Sequence, residues 1–171
     1  MNFLNRLPKV QDIYPVFGLI TFLIYAWGLY AFAWILPSWL NFLSLQEIAG
    51  ILSYTFVVNF LESITLLCSL LFLGVLLPRI FRFDFIFRAS LSALWVACLY
   101  SFLMLAKIPY YRLWAVLLIW MLMMPFIHYY LGRNQTARAI IISLTERAII
   151  FNYVCIPLTI LSFINLIFRN F

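Results

Sequence analysis

The sequence predicts an all-α, polytopic integral membrane protein: a bundle of about five transmembrane helices joined by short loops, with its N-terminus cytoplasmic. Three observations carry that prediction. Of the 171 residues, 67% are apolar and only 9% are charged, against about half and a quarter in soluble domains. Apolar stretches near 14–36, 47–77, 86–106, 113–131 and 146–168 each reach the roughly 20 residues a helix needs to cross the hydrocarbon core. Nine of the eleven Lys/Arg residues fall outside these stretches, and the other two, Arg88 and Arg147, stand at the very start of one. The chain therefore reads as one transmembrane domain over residues 1–171.

The first stretch follows Arg6 and Lys9, and Ala31-Phe32-Ala33 resembles a signal-peptide cleavage site. Its apolar run continues through Trp34, Ile35 and Leu36, longer than a signal h-region, so it reads as a retained anchor. Asp12 is placed to cap this helix, with Pro15 tolerated in its first turn. The following Pro37–Leu43 segment is uncharged and apolar enough to lie in the interface.

Ser44-Leu45-Gln46-Glu47 has the form of a capping box, Ser44 accepting from the backbone three residues on and Glu47 reaching back, and it marks the start of the second helix. That stretch is too long for one perpendicular crossing and is expected to tilt or to begin in the headgroup region. Thr55, Asn59, Glu62 and Ser69 fall within about 80° of one another at 100° per residue. They form an intramembrane polar stripe, with Glu62 near mid-membrane.

Before the third helix, Asp84 lies four residues ahead of Arg88, the favourable order for a helical ion pair. Within it, Ala89, Ala93, Ala97 and Ser101 recur at four-residue spacing, a small-residue ribbon on which a neighbouring helix or a partner subunit can sit closely. Pro125 should bend the fourth helix. His128, one turn from its cytoplasmic end, is expected to be a half-wet interfacial residue, the sharper alternative being a single axial ligand to a porphyrin-type pigment or haem. Asn134–Ser143 reads as a small interfacial turn, and Asn134-Gln135-Thr136 matches a glycosylation sequon on the side predicted cytoplasmic. Ser143-Leu144-Thr145-Glu146 repeats the capping box and is expected to open the fifth helix. Tyr14, Trp34, Trp39, Tyr110, Tyr111, Trp114, Tyr129 and Tyr130 lie near span ends, as interfacial aromatic belts do.

Orientation follows from the basic residues. With the N-terminus inside, the cytoplasmic side receives Arg6, Lys9, Arg79, Arg82, Arg88, Arg133, Arg138 and Arg147, and the other side Lys107, Arg112 and Arg169. Eight against three favours N-in and C-out, in a plasma membrane such as the bacterial inner membrane.

The same residues exclude much. No basic run or face is clustered as nucleic-acid binding requires. Cys68, Cys98 and Cys155 stand singly in different apolar stretches, with neither a CxxC nor a metal-ligand spacing. Phosphate-loop, HExxH and GxGxxG motifs are absent. Two histidines for a bis-imidazole haem do not exist in one chain. No metal or cofactor is expected beyond bound lipid, and no nucleic acid.

Four of the five carboxylates are accounted for by caps or an ion pair; Glu62 is not. An ionised group at that depth costs about 2.5–3.5 kcal/mol even on a lenient insertion scale. Either it is neutral packing glue, hydrogen-bonded to Asn59 or to Tyr25, Trp95, Tyr100, Trp120, Asn152 or Tyr153 of another helix, or it handles a proton, an ion or a ligand. The corresponding functions are a non-catalytic structural or accessory subunit of a larger membrane complex or homo-oligomer, and a small proton- or ion-coupled transporter or channel component. A lipid-directed enzyme ranks last, because no nucleophile and base come together near the interface.

Overall fold

The structure, a computed structural model, describes residues 8–76, 84–106 and 110–170. Arg6, Leu77, Arg79, Arg82, Lys107 and the side chains of Tyr110 and Tyr111 lie outside the described residues. The chain is all-α: α1 Val10–Trp39, α2 Leu45–Leu76, α3 Phe85–Ala106, α4 Tyr110–Arg133, α5 Gln135–Arg147 and α6 Ile150–Asn170. Five helices are long and apolar enough to cross a membrane, namely α1 to α4 and the α5–α6 run over Gln135–Arg169. A chain with five such helices is a multi-pass membrane protein in contact with lipid. Its outer surface fits that solvent: Trp34, Phe72, Leu105, Trp114 and Phe168 are all well exposed, which only an apolar solvent accommodates at this density.

α1 is central. It packs against α2, α3, α5 and α6, while α2 lies along α6 and α4 is held at the edge by α3 and α5. The core joins Val16 and Ile20 of α1, Leu70 of α2, and Phe85, Ala89 and Ala93 of α3. Backbone meets backbone at Gly18, where a Cβ would stand 2.6 Å from the Ala148 carbonyl oxygen. Only a glycine lets α1 meet the α5–α6 junction at that separation.

Between helices, buried polar side chains supply much of the specificity. Asn152 Nδ2 donates to the Tyr14 carbonyl (3.1 Å) and Asn165 Nδ2 to Ser53 Oγ (2.9 Å). The Tyr25 hydroxyl donates to the Phe56 carbonyl (3.0 Å) and touches Thr159 Oγ1, tying α1 to both α2 and α6. Thr145 and Ser90, both fully buried, meet at 2.9 Å between α5 and α3. Such contacts contribute about 0.6–2 kcal/mol each in a membrane, where packing alone gives no hydrophobic drive between helices.

The first capping box forms as its sequence implies: the Ser44 N–H donates to Glu47 Oε2 (2.8 Å) and the Glu47 N–H to Ser44 Oγ (3.4 Å). The second does not. Ser143 and Glu146 lie inside the last turns of α5, a 13-residue helix capped instead by Asn134, whose Oδ1 accepts from the N–H groups of Thr136 and Ala137. α6 begins four residues after Glu146, and the junction needs no side-chain cap. Its backbone continues in helical turns, with Ala148 N–H donating to Leu144 and Phe151 N–H to Ala148. The stretch expected to be an interfacial turn is therefore a helix, and the sequon asparagine is its cap.

Two other expectations are corrected. Asp12 sits in the first turn of α1, whose cap residue Lys9 makes no side-chain hydrogen bond; the acid favours the helix end through the dipole rather than by capping. Asp84 pairs with Arg138 of α5, not with Arg88 of its own helix. A cross-helix partner with freedom to aim both side chains wins over the local one.

At the edge, Trp95 and Trp120 stack with ring centroids 4.2 Å apart, and each indole N–H donates to the other residue's carbonyl, at 3.3 and 3.2 Å. This reciprocal clasp is the main side-chain link between the middles of α3 and α4. Trp95→Ala should remove it and lower stability by about 3–5 kcal/mol. Limited proteolysis of the α3–α4 connection in detergent checks this: cleavage should accelerate in the variant and stay slow in Trp95→Phe, which keeps the stacking.

Candidate functional site

α2 carries its polar side chains on one face because Thr55, Asn59 and Glu62 are spaced three and four apart. That face, with the second half of α1 and the second half of α3, encloses a cavity of about 740 Å³. Glu62 lies in the central part of the 32-residue α2, far from either helix end. Ser69 does not join the cavity; it is exposed, and its hydroxyl donates to the Thr65 carbonyl at 2.8 Å.

The α3 ribbon divides between two roles. Ala89 and Ala93 are buried in the core against α1, as a small-residue ribbon allows. One and two turns further on, Ala97 and Ser101 line the cavity with Ala93. Small side chains there leave space rather than seat a helix along the whole ribbon. α1 supplies Gly28, Ala31 and Trp27. The Trp27 ring meets Tyr100 of α3 edge-on at 5.3 Å, closing one wall with two aromatic faces.

Gly28 has a definite part. A Cβ at this position would collide with the Asn59 side chain, so the missing side chain on α1 is the room in which the Asn59 amide sits. Asn59 is 6% exposed and its Nδ2 has no hydrogen-bond partner. A buried amide donor left unpaired costs about 1–3 kcal/mol. Glu62, exposed within the cavity mouth, forms no hydrogen bond or ion pair with the described residues. Thr55 and Ser101 donate their hydroxyl protons back to the carbonyls of Ile51 and Ala97, both at 2.9 Å, which leaves their oxygens as acceptors. The cavity thus presents the Asn59 amide donor, the acceptor oxygens of Thr55, Ser101 and the Glu62 carboxylate, and walls that are mostly apolar and aromatic.

Of the residues on other helices expected to partner Glu62, Tyr100 alone lines the same cavity. Tyr25 and Asn152 are committed to helix crossings, Trp95 and Trp120 to each other, and Tyr153 to an edge-on contact with Tyr14 at 6.3 Å. Glu62 and Asn59 do not bond to one another.

His128 lies elsewhere, between α3 and α4. It is 7% exposed rather than half wet, because α4 turns it toward α3 instead of the interface. Its Nε2 stands 3.2 Å from Ser92 Oγ, whose proton goes to the Arg88 carbonyl at 2.8 Å. The imidazole therefore donates through Nε2, and Nδ1 is left without a partner. No group of three or more His, Cys, Asp or Glu side chains converges on a metal position among the described residues.

The feature sequence reasoning missed is the pairing of Gly28 with Asn59. Its signal is weak, a glycine amid the apolar residues of α1 with no turn to explain it. Compared with protein-family models, curated proteins and solved structures, the chain matches none.

Proposed function

We propose that this protein binds and carries a membrane-dissolved amphipathic molecule bearing a cationic or strongly donating head, as a small transporter or a transporter component. One observation carries the reading: Asn59 Nδ2 and the Glu62 carboxylate share one apolar-walled cavity and have no hydrogen-bond partner among the described residues. A ligand that accepts from Asn59 and donates to Glu62 removes both deficits, and a volume of about 740 Å³ lies within the range of small-molecule sites. The neutral-glue reading loses support, since Glu62 holds no helix.

A long-chain amino alcohol presents an ammonium, a hydroxyl acceptor and an apolar tail, and serves as the probe. Its binding to the detergent-solubilised protein should weaken about 10–100-fold in Glu62→Gln, as removal of a charge-assisted hydrogen bond implies. Ala97→Leu, which fills the cavity and touches no polar group, should also abolish it. Equal affinity in wild type and both variants would overturn the proposal.

A second reading, a structural or accessory subunit, is supported by α4. Only 6% of its apolar window is buried, and Leu118, Met121, Leu122 and Phe126 are exposed on one face of the helix. A stoichiometric partner retained through native mass spectrometry in mild detergent is the result expected of that role. The cytoplasmic N-terminus is supported by grouping: Lys9, Arg88, Arg133, Arg138 and Arg147 lie at the α5 end of the bundle, Arg112 and Arg169 at the other.

A further inference from the structure

We infer that the groove between α3 and α4 is a specific site for an anionic phospholipid, with Arg88 and Arg133 reading its phosphate. Arg88 lies one turn inside α3, partly buried, and its Nε is shielded from solvent without a hydrogen-bond partner. Its nearest carboxylate in sequence, Asp84, is taken by Arg138. No carboxylate pairs with Arg88 among the described residues. Beside it, His128 is 7% exposed, and its Nδ1 is also without a hydrogen-bond partner among the described residues. A partly buried cation without a counter-charge needs an anion, and none comes from the protein.

The surroundings select the kind of anion. Leu91, Trp95 and Cys98 stand three, seven and ten residues after Arg88, on the same face of α3, and they line an apolar groove of about 620 Å³ against Ile127 and Tyr130 of α4. α4 runs antiparallel to α3, so Arg133, three residues beyond Tyr130, reaches the same end of the groove as Arg88. Arg133 is exposed, with only a long contact of 3.5 Å to the Tyr129 hydroxyl. Neither arginine lines the groove itself; each stands about one helical turn beyond its end, Arg88 before Leu91 and Arg133 after Tyr130, an arrangement that matches a phosphate attached to an acyl chain. A free phosphate uses the arginines and leaves the groove unfilled; a zwitterionic lipid brings its own cation to a site already positive.

Delipidated protein titrated with phosphatidylglycerol and with phosphatidylcholine, followed by native mass spectrometry, tests the site. Wild type should prefer the anionic lipid by about 25-fold, and Arg88→Gln and Arg133→Gln should each lose about fivefold of that preference. Cys98→Phe, which obstructs the trough, should weaken anionic-lipid binding while both guanidinium groups remain. The lipid-free thermal midpoint of Arg88→Gln should not fall, and the amino-alcohol affinity of the Glu62 cavity should be unchanged in all three. No preference in wild type, an unchanged preference in both arginine variants, or full competition by inorganic phosphate would each overturn the assignment.

Discussion

Gly18→Leu is expected to lower the thermal midpoint in detergent by roughly 5–10 °C. The reason is what its side chain meets. A Cβ at Gly18 stands 2.6 Å from the Ala148 carbonyl oxygen and 2.9 Å from its carbon, and these are backbone atoms at the α5–α6 junction that no rotamer change can move. The helices must separate. Separation strips the Asn152 amide from the Tyr14 carbonyl one turn away, leaving a fully buried Asn152 with neither of its polar atoms paired, since Oδ1 already lacks a partner. Gly28→Ala is the control. Its Cβ meets only the Asn59 side-chain amide, which can swing into the cavity, so the midpoint should fall far less while amino-alcohol binding suffers. A midpoint drop at position 28 as large as at position 18 would contradict this distinction between backbone and side-chain obstruction.

The contrast between these two glycines also explains what could be read from the sequence. The spans were legible because an apolar run of helical length is a local property, and α1 to α4 begin and end within a few residues of the stretches. The Ser44 box was legible because both of its partners lie within one turn. Ser143 and Glu146 satisfy the same spacing, yet nothing local says whether a helix starts there or has been running since Gln135. Asp84 was assigned its sequence neighbour, whereas its partner Arg138 arrives from 54 residues away. The polar face of α2 followed from helical geometry, but the cavity did not. It depends on α1 and α3 both withholding side-chain volume at Gly28, Ala97 and Ser101, a coincidence of three helices. Ser69 shows the limit of the stripe argument, for it shares the face of Thr55, Asn59 and Glu62 yet is exposed outside the cavity they line.

Glu62→Leu should abolish binding of the amino alcohol and leave the midpoint unchanged or raise it by a few degrees. Here the two roles of a membrane carboxylate predict opposite signs. If the group were glue, removing it would break a helix contact worth about 0.6–2 kcal/mol and the midpoint would fall. Glu62 makes no such contact with the described residues; its polarity is retained in an apolar environment where leucine is intrinsically favoured over an acid by up to about 3 kcal/mol. Access of water through the cavity mouth reduces that difference, which is why the expected rise is small. Asn59→Leu should behave alike, because the donor it removes is unpaired, and replacing a buried unpaired group by an apolar one of similar shape is neutral or favourable. A protein that becomes more stable as it loses its ligand keeps those polar groups for binding, so the two midpoints measured beside the two affinities separate a ligand site from a packing contact.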